Sequence, residues 1–465
     1  MLTEASIPGS DDWYLMDLAT EMGKNFPRLG LLRRYREGDA PVPEEATAAM
    51  REAYRKFVKS SRLNMCDLIV NAKTNRQKAV GFRTSVAGDE LGDDAAWQTW
   101  RRSHMAVGSR QLFADAGHYG DGFLTVFGTE TLGTAAALTQ PLMVPSNGWT
   151  TWTRANVRFP WITEYSIEVG FDAIAGVDRI IMYGRGWLRI AEKPVKSTTI
   201  PSDGSEWRPG NDWTWVGERE ALNWTANNPI VRYSTLTRAG IYENHTDTID
   251  RINDGIKQRA TIQAMQAFKQ RAVKGDMPDV YPAGHELAGQ KVNYDDLLKA
   301  GPAAIWLLPE GADIWESTVT DTQGLLNGNK DDKKDLCAVT ATPLYTLIPD
   351  AASGSATGAD VSRETLTFSV EELNDLASDA LATAHGLAFE AARDTARADP
   401  SQIEVIWASI DRASVIERAT ASQAAKAGGM TQRMIDEKVF GLTPAEQRQA
   451  QQDREDEAFL APVAA

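Results

Sequence analysis

The side chains whose type and spacing could do chemistry are three pairs of neighbouring carboxylates, Asp11-Asp12, Asp93-Asp94 and Asp331-Asp332. Paired carboxylates can hold Mg²⁺ for phosphodiester cleavage. Adjacent acids on solvated faces are the commoner source of the same pattern. Tryptophans 149, 152, 161, 187, 207, 213, 215 and 224 crowd the middle of the chain. They read either as stacking platforms for bases or sugars or as core and interface packing, which the large apolar area of Trp favours. Acids and tryptophans together define one reading, a polymer-degrading enzyme (nuclease or glycan hydrolase), for which Asp93 or Asp331 would be indispensable.

Nothing else in the sequence supplies catalytic apparatus. The five histidines, at 104, 118, 245, 285 and 385, lie far apart and lack ligand spacing, and no cysteine joins them, so no zinc site is expected. There is no G-x-x-x-x-G-K-[ST], no G-x-G-x-x-G and no G-x-S-x-G. No cofactor, metal or catalytic residue is therefore assigned, and the chain reads as structural, not as an enzyme. Cys66 and Cys337 read as two core thiols of a reducing compartment, a disulfide between them staying open. Asn223-Trp224-Thr225 and Asn244-His245-Thr246 fit the glycosylation pattern by chance, since Met1 to Asp12 lacks the basic-then-apolar order of a secretory signal.

The elements that must position these residues fit an α+β protein of two or three domains, as 465 residues allow. Hydrophobic residues are 42% and charged ones 24%, enough for a real core, and no apolar run is long enough for a membrane span. The net charge of −15 argues against tight general binding of nucleic acid but not against a passage for it. A duplex that must slide should be held weakly, and acidic charge keeps a large assembly soluble.

Periodicity predicts helix from Asp12 to about Met65, with Leu15, Leu18 and Met22 on one face and a stop at Gly38, Pro41 and Pro43. A second helical stretch covers Ala95 to Ala116. Gly117 to Tyr233 is strand-rich: Phe123–Phe127, an alternating strand at Tyr165, Ile167 and Val169, and two short strands between Arg179 and Ile190 broken at Gly184-Arg185-Gly186. A long helix is predicted from Tyr242 to Val273, with Ile249, Ile252 and Ile256 stepping by three and four and Met265 and Phe268 continuing the apolar side. Lys274 to Trp315 reads as an insertion of short elements ending at Ala304–Asp313. A second helix, Thr320 to Val339, stops at Thr340-Ala341-Thr342-Pro343, so the two helices should pack antiparallel with the insertion at their far end. Ile348 to Asp360 is a Gly-, Ala- and Ser-rich loop, followed by a helix from Ser369 to Thr395, a strand at Ile403–Trp407 and polar helices broken at Gly428-Gly429 and Gly441–Pro444.

Several short motifs occur in an order that resembles the portal proteins of tailed double-stranded-DNA bacteriophages, in the family of siphophages infecting Gram-positive bacteria. Leu31–Gly38 resembles that family's early helix and turn, and Asn228-Pro229-Ile230-Val231 its strand before the main helix. Thr248–Asn253 resembles the start of its stem helix, Trp306–Ala312 the close of its clip, and Val339–Pro343 the end of its second stem helix. Gly428-Gly429-Met430 with Leu442–Glu446 resembles its late helices. The resemblance implies a wing of mixed α/β structure over 1–241, a stem of two helices at 242–273 and 318–342 and a small α/β clip at 274–317. It further implies the rest of the wing at 343–412, with a channel loop at 348–361 and a long helix at 369–396, and a helical crown at 413–465. It also implies a dodecameric ring at one capsid vertex of the virion, assembled in the bacterial cytoplasm. That ring would be a conduit for DNA in packaging and ejection and would dock the terminase large subunit, the head-tail connector or adaptor, and the capsid and scaffolding proteins. No membrane is implied. Candidate loop residues are Ala351, Ala352, Ser353, Gly354, Ser355 and Gly358. Candidate channel-facing cations are Lys257, Arg259 and Arg363, and the stem-packing residues are Ile249, Ile252 and Ile256. The departure from the family is a loop without an aromatic or basic tip, and another virion structural protein, such as a head-fusion or tail subunit, is a third reading beside the portal and the enzyme.

Overall fold

The computed structural model describes residues 2–40, 52–128, 140–266, 271–275, 277–294, 313–316, 321–348, 356–411 and 413–460. Helix α1, Asp11–Arg36, starts where Ser10 accepts the Trp13 N–H, with Asp11 and Asp12 at its positive end and Arg33, Arg34 and Arg36 at its negative end. Pro27 sits inside it and cannot donate to the Gly23 carbonyl. That carbonyl accepts the Trp207 N–H instead, at 3.3 Å. Gly23 lets the Trp207 backbone approach so closely that a Cβ would lie 1.9 Å from its carbonyl oxygen.

The chain then forms α2 (Glu52–Ser60), α3 (Cys66–Thr74), β1 (Ala79–Arg83), α4 (Asp94–Arg102) and α5 (Met105–Tyr119). The stretch expected as one helix over Ala95–Ala116 is thus two, broken at His104, whose φ of 52° is left-handed. The helix α3 and strand β1 were not anticipated. Pro41 and Pro43 lie outside the described residues.

Two antiparallel sheets follow. One has the order β3-β2-β9, from β2 (Asp121–Phe127), β3 (Leu142–Asn147) and β9 (Ile230–Ser234). The other is a meander of β4 (Thr151–Ala155), β5 (Thr163–Asp172), β6 (Val177–Gly184), β7 (Trp187–Pro194) and β8 (Thr214–Ala221). The β6–β7 hairpin turns at Arg185-Gly186, Gly184 pairing with Trp187, as expected. In β5, Ile167 and Val169 are buried against α1 in the main core. The β2 strand is buried on both faces: Phe123 packs toward Tyr183 and Leu188 of the larger sheet, Leu124 and Val126 toward the helices.

Next come α6 (Thr246–Gln266), β10 (Arg271–Lys274), β11 (Asp313–Glu316), α7 (Gln323–Val339), α8 (Leu344–Leu347) and α9 (Ala356–Ala391). The helix expected to run to Val273 therefore ends at Gln266, and Val273 belongs to a strand. The β10 and β11 strands pair antiparallel, Arg271 opposite Glu316 and Lys274 opposite Asp313, so the insertion leaves and returns on one ribbon. The α9 helix starts at Ala356, not Ser369, which places Gly358 in a helix instead of a loop. Strand β12 (Glu404–Trp407) pairs with β1. The chain ends in α10 (Val415–Ala427), opened by a capping box of Ser414 and Glu417, and α11 (Pro444–Leu460). A second core joins α4, α5 and α9 with β12.

Candidate functional site: a helix pair rooted in the core

The feature that combines several sequence expectations is the pair α6 and α7. Arg251 meets Asp332 at 2.9 Å, and Asn329 Nδ2 donates to the Ile252 carbonyl at 2.7 Å. Gly255 faces Asn329, and a Cβ there would lie 2.9 Å from its amide nitrogen. As numbers rise along α6 they fall along α7, so the helices are antiparallel. Their near ends are anchored in the main core, with Ile249 and Ile252 of α6 and Leu336 and Cys337 of α7 buried. Ile256 is half-buried against the same cluster. The Tyr35 hydroxyl donates to Asp250 at 2.6 Å, tying the pair to α1. Thr340 and Thr342 bond each other at 2.9 Å across the stop of α7, where Ala341 is left-handed at φ 49°. Between the helices runs an open groove of about 500 Å³ carrying Asp247, Asp250, Asp254 and Asp332.

The proposed cations are not brought together. Lys257 is paired with Asp254 one turn earlier on its own helix, at 2.5 Å. Arg259 is half-buried on α6, and Arg363 is exposed on α9; hydrogen bonds with Ser414, and after them the charge of Arg363, hold the Glu417 carboxyl of α10 below its usual range. Of the loop residues, Ala351, Ala352, Ser353, Gly354 and Ser355 lie outside the described residues, as do Phe268 and Trp306–Ala312.

Helix α8 packs on α3 and α7. There Lys73 is 6% exposed, and burial pushes its ammonium pKa down to about 8, opposed only by the more distant Glu372. Sequence reasoning missed it, because Asn71-Ala72-Lys73-Thr74 carries no pattern that distinguishes this lysine from a surface one.

The acidic pairs resolve into structural partners. Asp11 binds Arg189 at 2.9 Å and Arg219 at 2.5 Å, which hold its carboxyl below the usual range against the opposing effect of burial. Asp12 accepts the Thr3 and Glu4 N–H groups and Trp215 Nε1. Asp93 caps α4 through Ala95 and Ala96 and binds Arg397 at 2.6 Å, while Asp94 takes Arg448 at 2.6 Å. Asp331 meets Lys334 at 2.8 Å. Among the described residues no group of three His, Cys, Asp or Glu side chains is arranged to hold a metal ion. Trp207 and Trp213 are buried, and Trp149, Trp152, Trp187 and Trp215 pack on the main core. Arg33, Arg219 and Arg189 lie over Trp149, Trp187 and Trp215. Trp224 bridges the other two clusters, and Trp161 alone of the eight is largely exposed, at 76%. Cys66 and Cys337 are free and buried. Among the described residues no helix is long and apolar enough to cross a membrane.

No protein-family model matches the chain, and no curated protein matches it. Solved structures that it resembles include a chain of the virion of a native gene transfer agent particle, at 14% identity and a TM-score of 0.42, covering 89% of this chain and 99% of that one. Another comes from the neck of an empty gene transfer agent particle computed with C6 symmetry, at 14% identity and 0.43, covering 86% and 94%. A third comes from the neck of the native particle computed with C12 symmetry, at 14% and 0.42, covering 84% and 92%.

Proposed function

We propose that the chain is a portal subunit: a structural protein that closes a ring of about twelve copies at one vertex of a phage-like virion and lets double-stranded DNA pass. The observation that carries this reading is the antiparallel pair α6–α7, rooted in the core at one end and leading at the other to an insertion that leaves and returns on the β10–β11 ribbon. A single chain gains little from projecting such a pair, whereas a ring of copies sets the pairs side by side as a wall. The ordered motifs at Thr248–Asn253, Val339–Pro343 and Leu442–Glu446 support the same reading, including its narrower form in the siphophage family. In it the two helices are the stem, the insertion is the clip, α10 and α11 form the crown, and the remainder is the wing. The expected channel loop then gives up 356–361 to α9, its remaining residues lying outside the described ones. The net charge of −15 suits a passage that holds phosphates weakly. Terminase, connector, capsid and scaffolding proteins would be its partners, and none of these roles asks the chain for catalysis.

Mass photometry with negative-stain microscopy of the purified chain tests this. Rings of about a dozen subunits with a central hole are expected. A monomer at every concentration up to tens of micromolar would contradict the proposal.

A further inference from the structure

Between β4 and β5 the segment Asn156–Ile162 forms an ordered knob. Asn156 Oδ1 accepts the N–H groups of Arg158 and Phe159, both at 2.8 Å, and the Asn156 N–H donates to the Ile162 carbonyl at 2.8 Å. This turn turns outward three large apolar side chains: Val157 at 92% exposure, Trp161 at 76% and Phe159 at 42%. Phe159 and Trp161 meet edge to face at 5.6 Å, and the Arg158 guanidinium lies over Phe159. A preformed aromatic pair rimmed by a cation is an interface anchor in search of a pocket.

Farther along β5 lies an open cleft of about 570 Å³, lined by Glu168, Val169, Gly170, Phe171, Ile174 and Ile181. Its most telling residue is Gly170. Nothing lies within 4 Å of where its Cβ would be, and its backbone is not left-handed. Neither the fold nor local packing of the single chain therefore asks for glycine in mid-strand, where glycine costs stability. A bare site of this kind fits a surface approached closely by another molecule. Beside it, Phe171 and Ile174 are exposed, at 38% and 101%. The rim is net negative, since Asp172 and Glu192 share the single guanidinium of Arg179.

We infer that the knob of one copy, led by Trp161, seats in the Gly170 cleft of the next copy. From Thr163, just after the knob, to Gly170 the extended strand β5 runs about 23 Å, so a chain cannot fill its own cleft. A knob at one end of a strand and a cleft toward the other make a head-to-tail contact, the kind that closes into a ring. Copies that each carry −15 repel, so their contact must combine apolar burial with local opposite charge, and Arg158 against the Asp172–Glu192 rim supplies it.

This inference rests on the ring proposal, and the test separates the two. Full-length wild type, Trp161→Ser and Gly170→Gln are compared by mass photometry over a concentration series, with melting temperature measured on each. Both altered sites are open in the single chain, so at a concentration where all three are monomeric both variants should melt like wild type. Each should need at least tenfold more protein to assemble. A Trp161→Cys, Gly170→Cys double variant, oxidised with copper phenanthroline, should give a ladder of disulfide-linked chains on a denaturing gel that neither single variant gives. Wild-type rings with unaltered assembly of both variants and no ladder would overturn the knob-and-cleft contact, leave the ring standing and point to another virion protein as the knob's partner. A wild type that never assembles would overturn both.

Discussion

Replacing Ile252 by alanine gives the sharpest check on how the helix pair is held. Ile252 is 0% exposed in the main core, whereas Ile256, one turn along the same helix, is half-buried at its edge. Truncation removes three carbons, a transfer loss of roughly 2.4 kcal/mol for a fully buried chain at about 0.8 kcal/mol per methylene. The cavity left behind adds to this, because α7 packs along α6 and the core there cannot collapse fully, for a total of about 3–4 kcal/mol. At Ile256 about half of the transfer loss and little cavity are expected, about 1–1.5 kcal/mol. Urea unfolding followed by tryptophan fluorescence reads this well, since Trp207 and Trp213 lie in the same core. Protein concentration must be fixed, because assembly stabilises the folded chain by mass action. An Ile256→Ala loss equal to or larger than the Ile252→Ala loss would refute the rooted-pair geometry.

His385 is fully buried between Phe82 and Trp100, and burial pushes its pKa down to about 4. The unfolded chain therefore takes up a proton near pH 6.5 that the folded chain refuses, so stability should fall by ~3 kcal/mol as pH drops from about 6.5 to 4. Burial pushes His118 down to about 3, which adds a second loss over the same range, so His385→Leu should remove only the His385 share of the slope, and an unchanged slope would count against it. Asp93→Asn should lower stability by about 2 kcal/mol or more through the α4 cap and the Arg397 pair, whereas the exposed Asp331→Asn should change it by less than about 0.5 kcal/mol. Burial raises the Cys66 thiol pKa to about 12 and that of Cys337 to about 11, so neither should react with Ellman's reagent at pH 8 until the chain is unfolded. Fast labelling of the native protein would contradict their placement. Under the portal reading, deleting Ala351–Ser355 should leave rings intact and impair DNA retention, and normal packaging would remove this segment from the channel.

What was legible in the sequence was local or periodic. Leu15, Leu18 and Met22 marked the buried face of α1, Gly184-Arg185-Gly186 marked the β6–β7 turn, and the isoleucine-led α6 came out antiparallel to α7, as the insertion between them implied. Pairings between distant segments were not readable. β1 finds its partner β12 more than 300 residues away, and Asp93 finds Arg397 304 positions away. For that reason the acidic pairs could be read as metal ligands until their arginines were in view. The early start of α9 is not legible because Ala356–Asp360 adjoins Gly and Ser neighbours that favour a loop, although Ala is the best helix former. Lys73 and Gly170 were invisible for a related reason: a residue's meaning there lies in what surrounds it, or in what does not.

The most direct measurement is a cryo-electron microscopy map of the purified assembly, clear enough to follow α6 and α7. The account predicts a closed ring in which these helices stand around an axial opening wide enough for a DNA duplex, with the insertion at one end. An assembly without an axial opening, or one with the α6–α7 pair on its outer rim, would contradict it.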